Sequence, residues 1–301
     1  MKDWIDELKE LSVGTVLTNE RLAPYTTWKI GGPADALVVP SGRAELAAVL
    51  RTLRRHGVPW MTLGRGSNLL VTDRGFRGAV IKLGEAFDYV RFDGDRVTAG
   101  GAFSFIKLSV MTGKEGLTGL EFAGGIPGSV GGAVFMNAGA HASDVSRILI
   151  SAEVVLEDGE LAVWTRDDLE FSYRHSKLQK TRAVVTEATF QLAYGDRREI
   201  AAAMAAYKDR RMRTQPLKMQ SAGSVFRNPP GDHAARLIEA AGLKGLRVGG
   251  AEVSTIHANF IVNTGNATAE DVLTLIDRIQ QTVERQTGIR LIPEVLTVGE
   301  R

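Results

Sequence analysis

A serine, a basic residue and an amide stand close together in the segment QSAGSVFRNPPG, Gln220 to Gly231. Glycines and two prolines frame Ser224, so this segment can form neither a regular helix nor a central strand. The hydroxyl is either that of an ordinary loop serine or a reactive group fixed on a turn. The G-x-S-x-G pattern of hydrolase nucleophiles is absent, which argues against a Ser-His-Asp triad.

Two glycine-rich segments could bind an anion. The first, LGRGSNLLV, runs from Leu63 to Val71, and the second, GGIPGSVGGA, runs from Gly124 to Ala133. Backbone N–H groups in such turns can surround a phosphate, although tight turns also use glycine for conformation alone. Two such loops in one chain favour a long ligand with a pyrophosphate. Neither is a GxGxxG opening a helix or a Walker loop, which disfavours a Rossmann fold and a nucleotide hydrolase.

A further candidate is Arg174, which lies in the segment EFSYRHSK. An arginine in a strand-turn segment is either a solvated surface charge or a clamp that binds a carboxylate through two hydrogen bonds. The five histidines show no metal-ligand spacing, so no metal site is predicted.

Composition narrows the function classes. The 301 residues include no cysteine, which excludes disulfides, thiol nucleophiles and iron–sulfur clusters. A formal net charge of +2 gives no overall signal for a nucleic-acid partner. No apolar run approaches the roughly 20 residues of a membrane span, and acids throughout the N-terminal segment are unlike a signal peptide. We expect a soluble, cytoplasmic protein without a membrane partner.

Hydrophobic periodicity and turn residues predict the elements that position these groups. Residues 1–24 are predicted to form a short helix and a connector. Ser41 is predicted to cap a helix that lies between two strands, as in a βαβ unit. Its buried stripe consists of Leu46, Val49, Leu50 and Leu53.

The second half of the chain carries clear turn and cap signals. Asp158-Gly159 predicts a β-hairpin. A helix with a basic end follows Gly195, where the composition changes. Thr268 and Asp271 form a capping box for a last helix, and the tail is a final strand that carries Glu294. We predict an α+β protein with a domain boundary near residue 195.

Taken together, these segments resemble one family, the UDP-N-acetylenolpyruvoylglucosamine reductases (MurB). Eight motifs occur in the order of that family: TTWKIGGPAD, GRGSNLLV, GGIPGSVGGAVFMNAGA, YRHS, AGSVFRNPPG, AAGLKG, HANFIVN and PEV. Each motif is modest alone, but their common order over about residues 26 to 298 is specific. Only 50 residues separate Arg174 from Ser224, so the chain resembles the shorter class, which lacks an inserted tyrosine loop.

The resemblance implies a fold and a cofactor. Residues 1–194 would form an FAD-binding module of the vanillyl-alcohol oxidase (PCMH) type, with α+β subdomains of about 1–80 and 81–194. Residues 195–301 would form an α+β domain for the UDP-sugar, with the last strand returning toward the FAD domain. FAD would be bound non-covalently. The positions that match FAD-binding loops are Gly64, Arg65, Gly66, Ser67, Asn68, Leu69, Gly124, Gly125, Ile126, Pro127, Gly128, Ser129, Gly131, Gly132, Ala133 and Asn137.

The resemblance also implies a reaction in peptidoglycan precursor synthesis. NADPH would reduce FAD, and the hydride would then pass to C3 of UDP-N-acetylglucosamine enolpyruvate to give UDP-N-acetylmuramate. Ser224 would protonate C2, Arg174 would stabilise charge on the carboxylate, and a protonated Glu294 would hydrogen-bond to it. Substrate contacts are assigned to Arg213, Asn228, Lys244 and His257.

Two other functions stay open at this point. An FAD-dependent oxidase of the same superfamily, acting on an alcohol or sugar, would share the glycine-rich loops but would not need Ser224, Arg174 and Glu294 together. A nucleotide-binding protein without turnover is the other alternative, although all three catalytic positions carry the expected residue types.

Overall fold

The computed structural model describes residues 3–300. The α-helices in that range are α1 (Asp3–Glu10), α2 (Arg43–Arg55), α3 (Phe105–Lys114), α4 (Val130–Met136), α5 (Arg197–Thr214), α6 (Ala234–Ala240) and α7 (Ala269–Thr287). Among these helices, none combines the length and the hydropathy that a bilayer span requires.

The strands of the described residues are short. In chain order they are β1 (Gly14–Arg21), β2 (Pro33–Pro40), β3 (Trp60–Thr62), β4 (Leu69–Val71), β5 (Phe76–Ile81), β6 (Val90–Asp93), β7 (Arg96–Gly100), β8 (Leu117–Thr118), β9 (Gly139–Ala140), β10 (Ser143–Asp144), β11 (Leu149–Leu156), β12 (Leu161–Thr165), β13 (Ala183–Gln191), β14 (Ala193–Tyr194), β15 (Arg247–Val248), β16 (Ala251–Val253), β17 (Ile261–Asn263) and β18 (Leu296–Val298).

The chain divides into two compact units, and each is discontinuous in sequence. Unit 1 holds the described residues up to Thr18, then Ala36–Arg65 and Gly78–Asp209. Unit 2 holds Asn19–Asp35, Gly66–Arg77 and the described residues from Arg210 onward. Compactness alone does not define a domain that binds or folds separately, so the domain boundary near residue 195 stays a prediction.

Unit 1 is built on a five-stranded antiparallel sheet with the order β12-β11-β13-β7-β6. The hairpin of β11 and β12 turns at Asp158-Gly159, as predicted, and Gly159 has a φ of 84°, a conformation that glycine adopts without steric cost. Helix α4 packs against β13, and Phe105 and Phe190 are fully buried in the core of this sheet.

Helix α2 shows the predicted buried stripe but not the predicted cap. Leu46, Val49, Leu50 and Leu53 are all fully buried. The prediction that Ser41 caps α2 is wrong, because the helix begins after Gly42 without any side-chain cap. Ser41 instead donates its backbone N–H to the carbonyl of Val13 at 3.0 Å, which extends the strand that precedes the helix.

The predicted connector before Pro24 is also wrong, because much of it is strand β1. This strand lies at the edge of a sheet with the order β1-β2-β5-β3, and its residues are exposed or only half-buried. An exposed edge strand carries no alternation of apolar and polar residues, so periodicity gives no signal for it.

Unit 2 has its own core, around Trp28, Phe226 and one face of α7. The capping box of α7 is confirmed: Thr268 Oγ1 accepts from the N–H of Asp271 at 3.1 Å, and Asp271 Oδ2 accepts from the N–H of Thr268 at 3.0 Å. Strands β15, β16 and β17 form a three-stranded antiparallel sheet that contacts this helix.

The tail of the chain pairs in parallel with β4, from Leu296 opposite Leu69 to Val298 opposite Val71. Glu294 precedes strand β18 and is not part of it, contrary to the sequence prediction. Its N–H donates to the carbonyl of Val225 at 2.7 Å, so this residue is held by another loop before pairing with β4 begins.

Candidate active site

The two glycine-rich segments meet in unit 1. Ser129 is buried and caps α4, where its Oγ accepts from the N–H of Gly132 at 3.3 Å. A Cβ atom on Gly64 would lie 2.6 Å from this Oγ, closer than real Cβ contacts come. Gly64 therefore allows the first loop to reach the second. This contact is consistent with the prediction that both loops bind one ligand.

The first loop has backbone donors available for an anion. Among the described residues, the N–H groups of Gly64, Arg65, Gly66 and Ser67 find no acceptor. Gly66 is a buried residue, and most backbone N–H groups inside native proteins have a partner. A bound phosphate oxygen would satisfy such donors, so this loop fits the pyrophosphate of a dinucleotide.

Two cations lie at the same loop, and sequence reasoning identified only one of them. The ammonium of Lys82 donates to the carbonyl of Gly64 at 3.2 Å. Burial lowers the pKa of Lys82, and the charge of Arg65 lowers it further. Neither cation forms an ion pair within residues 3–300. The sequence offers one signal for Lys82, a lysine inside the apolar run AVIKLG. Its contact with Gly64 could not be predicted, because the two residues are far apart in the chain.

The second glycine-rich segment contains more secondary structure than predicted. Gly124 and Gly125 end a 3-10 turn that starts at Glu121, and the segment then leads into α4. Gly131 serves packing, because a Cβ there would lie 3.1 Å from the carbonyl oxygen of Gly101. Of the other positions assigned to FAD in this segment, Ile126, Pro127 and Gly128 lie before Ser129, and Gly132 and Ala133 lie in α4. In the first segment, Ser67 and Asn68 lie in the loop, and Leu69 begins β4.

Asn137 has a structural task in unit 1. It is buried and ends α4 in the left-handed conformation, with a φ of 44°. Its Nδ2 donates to the carbonyl of Ser172 at 2.9 Å, and its Oδ1 accepts from the N–H of Ser146 at 3.0 Å. The amide therefore holds the turn that carries Arg174, and the assignment of Asn137 to FAD stays a prediction.

Arg174 lies at the tip of a tight turn. Ser172 and His175 exchange two backbone hydrogen bonds of 3.1 Å, which leaves Tyr173 and Arg174 at the tip. Arg174 has a φ of 55°, which is uncommon for a residue with a side chain. Its Nη2 donates to the carbonyl of Gly139 at 2.9 Å. The guanidinium is half-buried and oriented by the backbone around it.

Ser224 and Glu294 come together in unit 2. Ser224 is half-buried and follows Gly223, whose φ is 75°. The next residue, Val225, accepts the N–H of Glu294 at 2.7 Å, and Phe226 forms a bridge with Pro293. The sequence placed these two candidates 70 residues apart, and the structure brings their backbones into contact.

Asparagine side chains fix this part of unit 2. Asn259 Oδ1 accepts from the N–H of Phe226 at 2.9 Å, and its Nδ2 donates to the carbonyl of Phe226 at 2.8 Å, both buried. Asn68 Nδ2 donates to the carbonyl of Glu294 at 3.1 Å. Sequence reasoning did not single out Asn259, although it lies in the motif HANFIVN.

The residues assigned to the substrate have varied surroundings in unit 2. Asn228 is exposed, and its Oδ1 accepts from the N–H of Ala234 at the start of α6 at 3.1 Å. Lys244 forms an ion pair with Glu239 at 2.7 Å. Burial lowers the pKa of His257, and the charge of Lys244 lowers it further. These contacts leave the three assignments as predictions.

Arg213 is exposed in the last turn of α5. Its neighbour on that helix, Arg211, is half-buried and donates from Nε to Gln215 Oε1 at 2.9 Å. Burial lowers the pKa of Arg211. Within residues 3–300, no group of three His, Asp or Glu side chains is arranged to hold a metal ion.

Comparison with known proteins identifies the family. Residues 34–164 match the model of an FAD binding domain, and residues 215–298 match that of the UDP-N-acetylenolpyruvoylglucosamine reductase C-terminal domain. The reductase of Bacillus licheniformis is 52% identical over 302 residues, covering 100% of both chains. That of Bacillus subtilis is 50% identical over 300 residues, covering 99% of both. The chain belongs to the UDP-N-acetylenolpyruvoylglucosamine reductase (MurB) family.

A solved MurB structure has the same fold. The enzyme from Thermus caldophilus is 39% identical and superposes with a TM-score of 0.81, covering 94% of this chain and 98% of that one. The predicted family, the α+β fold class with a PCMH-type FAD module and the FAD cofactor are confirmed. The roles of individual MurB residues stay predictions.

Asn259→Ala tests whether this amide fixes the serine turn. The substitution leaves a buried N–H and a buried carbonyl of Phe226 without partners, so we expect a loss of about 2–6 kcal/mol of stability. The thermal midpoint measured by circular dichroism should fall clearly, whereas Asn266→Ala, at an exposed site, should leave it unchanged. Equal midpoints for both variants would contradict this role.

Proposed function

We propose that the chain reduces UDP-N-acetylglucosamine enolpyruvate to UDP-N-acetylmuramate, with NADPH as the electron donor, in peptidoglycan precursor synthesis. The observation that carries this proposal is the full-length similarity to enzymes named for this reaction, at 52% identity for one of them. The contact between the Ser224 and Glu294 segments adds support from the structure. We also propose a cytoplasmic location, where NADPH and UDP-sugars are available.

FAD would be held mainly by backbone donors of the first glycine-rich loop. The N–H groups of residues 64–67, which find no acceptor in the described part of the chain, suit the pyrophosphate, and the cations of Arg65 and Lys82 would balance its charge. Ser129, in contact with Gly64, would place the second loop against the same cofactor. FAD held there would supply the redox chemistry, the carriage of a hydride from NADPH to C3 of the enolpyruvyl group.

Three residues of the chain would stabilise the negative charge on the substrate and supply the proton to C2. Hydride addition at C3 leaves a carbanion at C2 that is conjugated with the carboxylate. Arg174 would stabilise the negative charge that grows on the carboxylate oxygens, and Glu294, when protonated, would donate a hydrogen bond to them. The Ser224 hydroxyl would give its proton to C2 and recover one from water. Serine is a weak acid, so this transfer depends on close positioning and on a strongly basic carbanion.

Ser224→Ala separates the two halves of the reaction. Reduction of bound FAD by NADPH should remain near the normal rate, because no proton transfer to C2 is involved. Reoxidation by the enolpyruvyl sugar should slow by about 10²- to 10⁴-fold, the usual worth of a positioned general acid. Anaerobic stopped-flow absorbance measures both rates. Ser221→Ala, in the same loop, should change neither, and an equal loss of both rates in Ser224→Ala would refute the proton-donor role.

Lys82→Met tests the cation at the first loop. Loss of a hydrogen bond to a charged group costs about 1.5–3 kcal/mol, so FAD should bind roughly 10- to 100-fold more weakly to the apoprotein. The affinity should also become less sensitive to salt, because one charge is gone. Fluorescence titration with FAD measures both effects.

Lys29→Met is the matched control, because the Lys29 ammonium also donates to a backbone carbonyl, that of Pro24, at an exposed site. It should bind FAD normally. An unchanged FAD affinity and salt dependence in Lys82→Met would show that Lys82 does not act on the cofactor.

A further inference from the structure

A two-residue hairpin lies directly beside the Arg174 turn in unit 1. Strands β9 and β10 pair with Gly139 opposite Asp144 and with Ala140 opposite Ser143, which leaves His141 and Ala142 at the tip. Both tip residues have positive φ, 53° and 61°. Turns of this kind usually carry Asn and Gly, because those residues tolerate positive φ. A tip made of His and Ala is therefore strained, and contacts from outside the hairpin must hold it.

An aromatic stack supplies such a contact. The His141 ring lies parallel to the Tyr207 ring, with the centroids 3.7 Å apart and the planes 5° apart. Tyr207 is on α5, one turn after Met204, and Met204 lies against Gly113 and Gly124. Ile200, on the same helix, is buried. Tyr207 therefore belongs to a helix that is packed onto the body of unit 1.

The base of the hairpin reaches Arg174. The carbonyl of Gly139 accepts the hydrogen bond from Arg174 Nη2. This base is tight: a Cβ on Gly139 would lie 2.6 Å from both the Asp144 Cβ and the Ser143 oxygen. Strand β9 also packs against the segment Glu121–Gly125. A displacement of the tip would thus be transmitted over two residues to the carbonyl that orients the guanidinium.

We propose that the stacked pair of His141 and Tyr207 is a positioning element that sets the place of the Arg174 guanidinium through the hairpin 139–144. Neither ring needs to touch the substrate. The consequence for catalysis rests on the proposed function, in which Arg174 acts on the carboxylate of the enolpyruvyl sugar. The carboxylate on which Arg174 acts belongs to the enolpyruvyl sugar, so we expect the stack to matter for the transfer of the hydride to that sugar and not for the reduction of FAD by NADPH.

The first test replaces the ring. Tyr207→Ala should slow anaerobic reoxidation of the reduced enzyme by the enolpyruvyl sugar by about 10- to 100-fold, since a displacement of about 1 Å can cost that much. Reduction by NADPH should be unchanged. Tyr207→Phe keeps the stacked ring and should restore the rate. Tyr194→Ala removes an exposed tyrosine of the same unit and should have no effect.

A double-mutant cycle tests whether the effect passes through Arg174. In an Arg174→Lys background the guanidinium is absent. Adding Tyr207→Ala to this variant should therefore slow reoxidation by less than about twofold. A full additional loss in the double mutant would overturn the proposal, because it would mean that Tyr207 acts independently of Arg174. A normal reoxidation rate in Tyr207→Ala would overturn it as well.

Hydrogen exchange gives a readout that does not depend on the substrate. In FAD-loaded Tyr207→Ala, the amides of residues 139–144 and 172–175 should exchange faster than in the native protein, while the β11–β12 hairpin should keep its protection. Unchanged exchange in both segments would overturn the proposal. If the native enzyme did not reoxidise with the enolpyruvyl sugar, the proposed function would fail, and the exchange result would still decide the role of the stack.

Discussion

Backbone groups in irregular turns lack the hydrogen-bond partners that a neighbouring strand would supply. In this protein, asparagine side chains supply such partners to the segments that carry the three candidate catalytic residues. Each amide reaches its turn from another part of the chain: Asn137 binds the turn of Arg174, Asn259 binds the turn of Ser224, and Asn68 binds the segment of Glu294. An amide carries a donor and an acceptor, so it can imitate a peptide group. Because buried backbone groups must be paired, these bonds limit the conformations open to the catalytic turns. The geometry proposed for catalysis depends on them.

A second constraint is the close approach of backbone segments at the cofactor loops. Gly64 lies so near Ser129 that a side chain would collide, and the N–H of the buried residue Gly66 has no acceptor among residues 3–300. Lys82 and Arg65 add positive charge at the same loop. Donors without acceptors and neighbouring positive charges cost free energy in the empty protein, and a bound anion would offset that cost. This agrees with the match to an FAD binding domain.

Much of the fold and the identity of the family could be predicted from the sequence, because the signals are local. The Asp158-Gly159 turn, the Thr268 capping box and the buried stripe of α2 depend on residues close together in the chain. The eight ordered motifs indicated the family and its FAD module. Strand β1 was missed because an edge strand exposed to solvent lacks periodicity, and Ser41 was misassigned because its N–H pairs with Val13.

The supporting residues could not be predicted, because their partners are distant in sequence. Asn259 acts on Phe226, Lys82 acts on Gly64, and Tyr207 stacks on His141. Each has an ordinary sequence context: an amide in a strand motif, a lysine in an apolar run and a tyrosine in a helix. Only the folded chain shows what they touch.

The most direct test is the anaerobic visible spectrum of the purified protein during successive additions. The FAD-loaded protein should be yellow, should lose its flavin absorbance with NADPH, and should regain it when UDP-N-acetylglucosamine enolpyruvate is added without oxygen. Bleaching by NADPH without recovery on addition of the enolpyruvyl sugar would contradict the proposed reaction and favour an oxidase of the same superfamily. A protein that bound no FAD even when supplied with it would contradict the account of the glycine-rich loops.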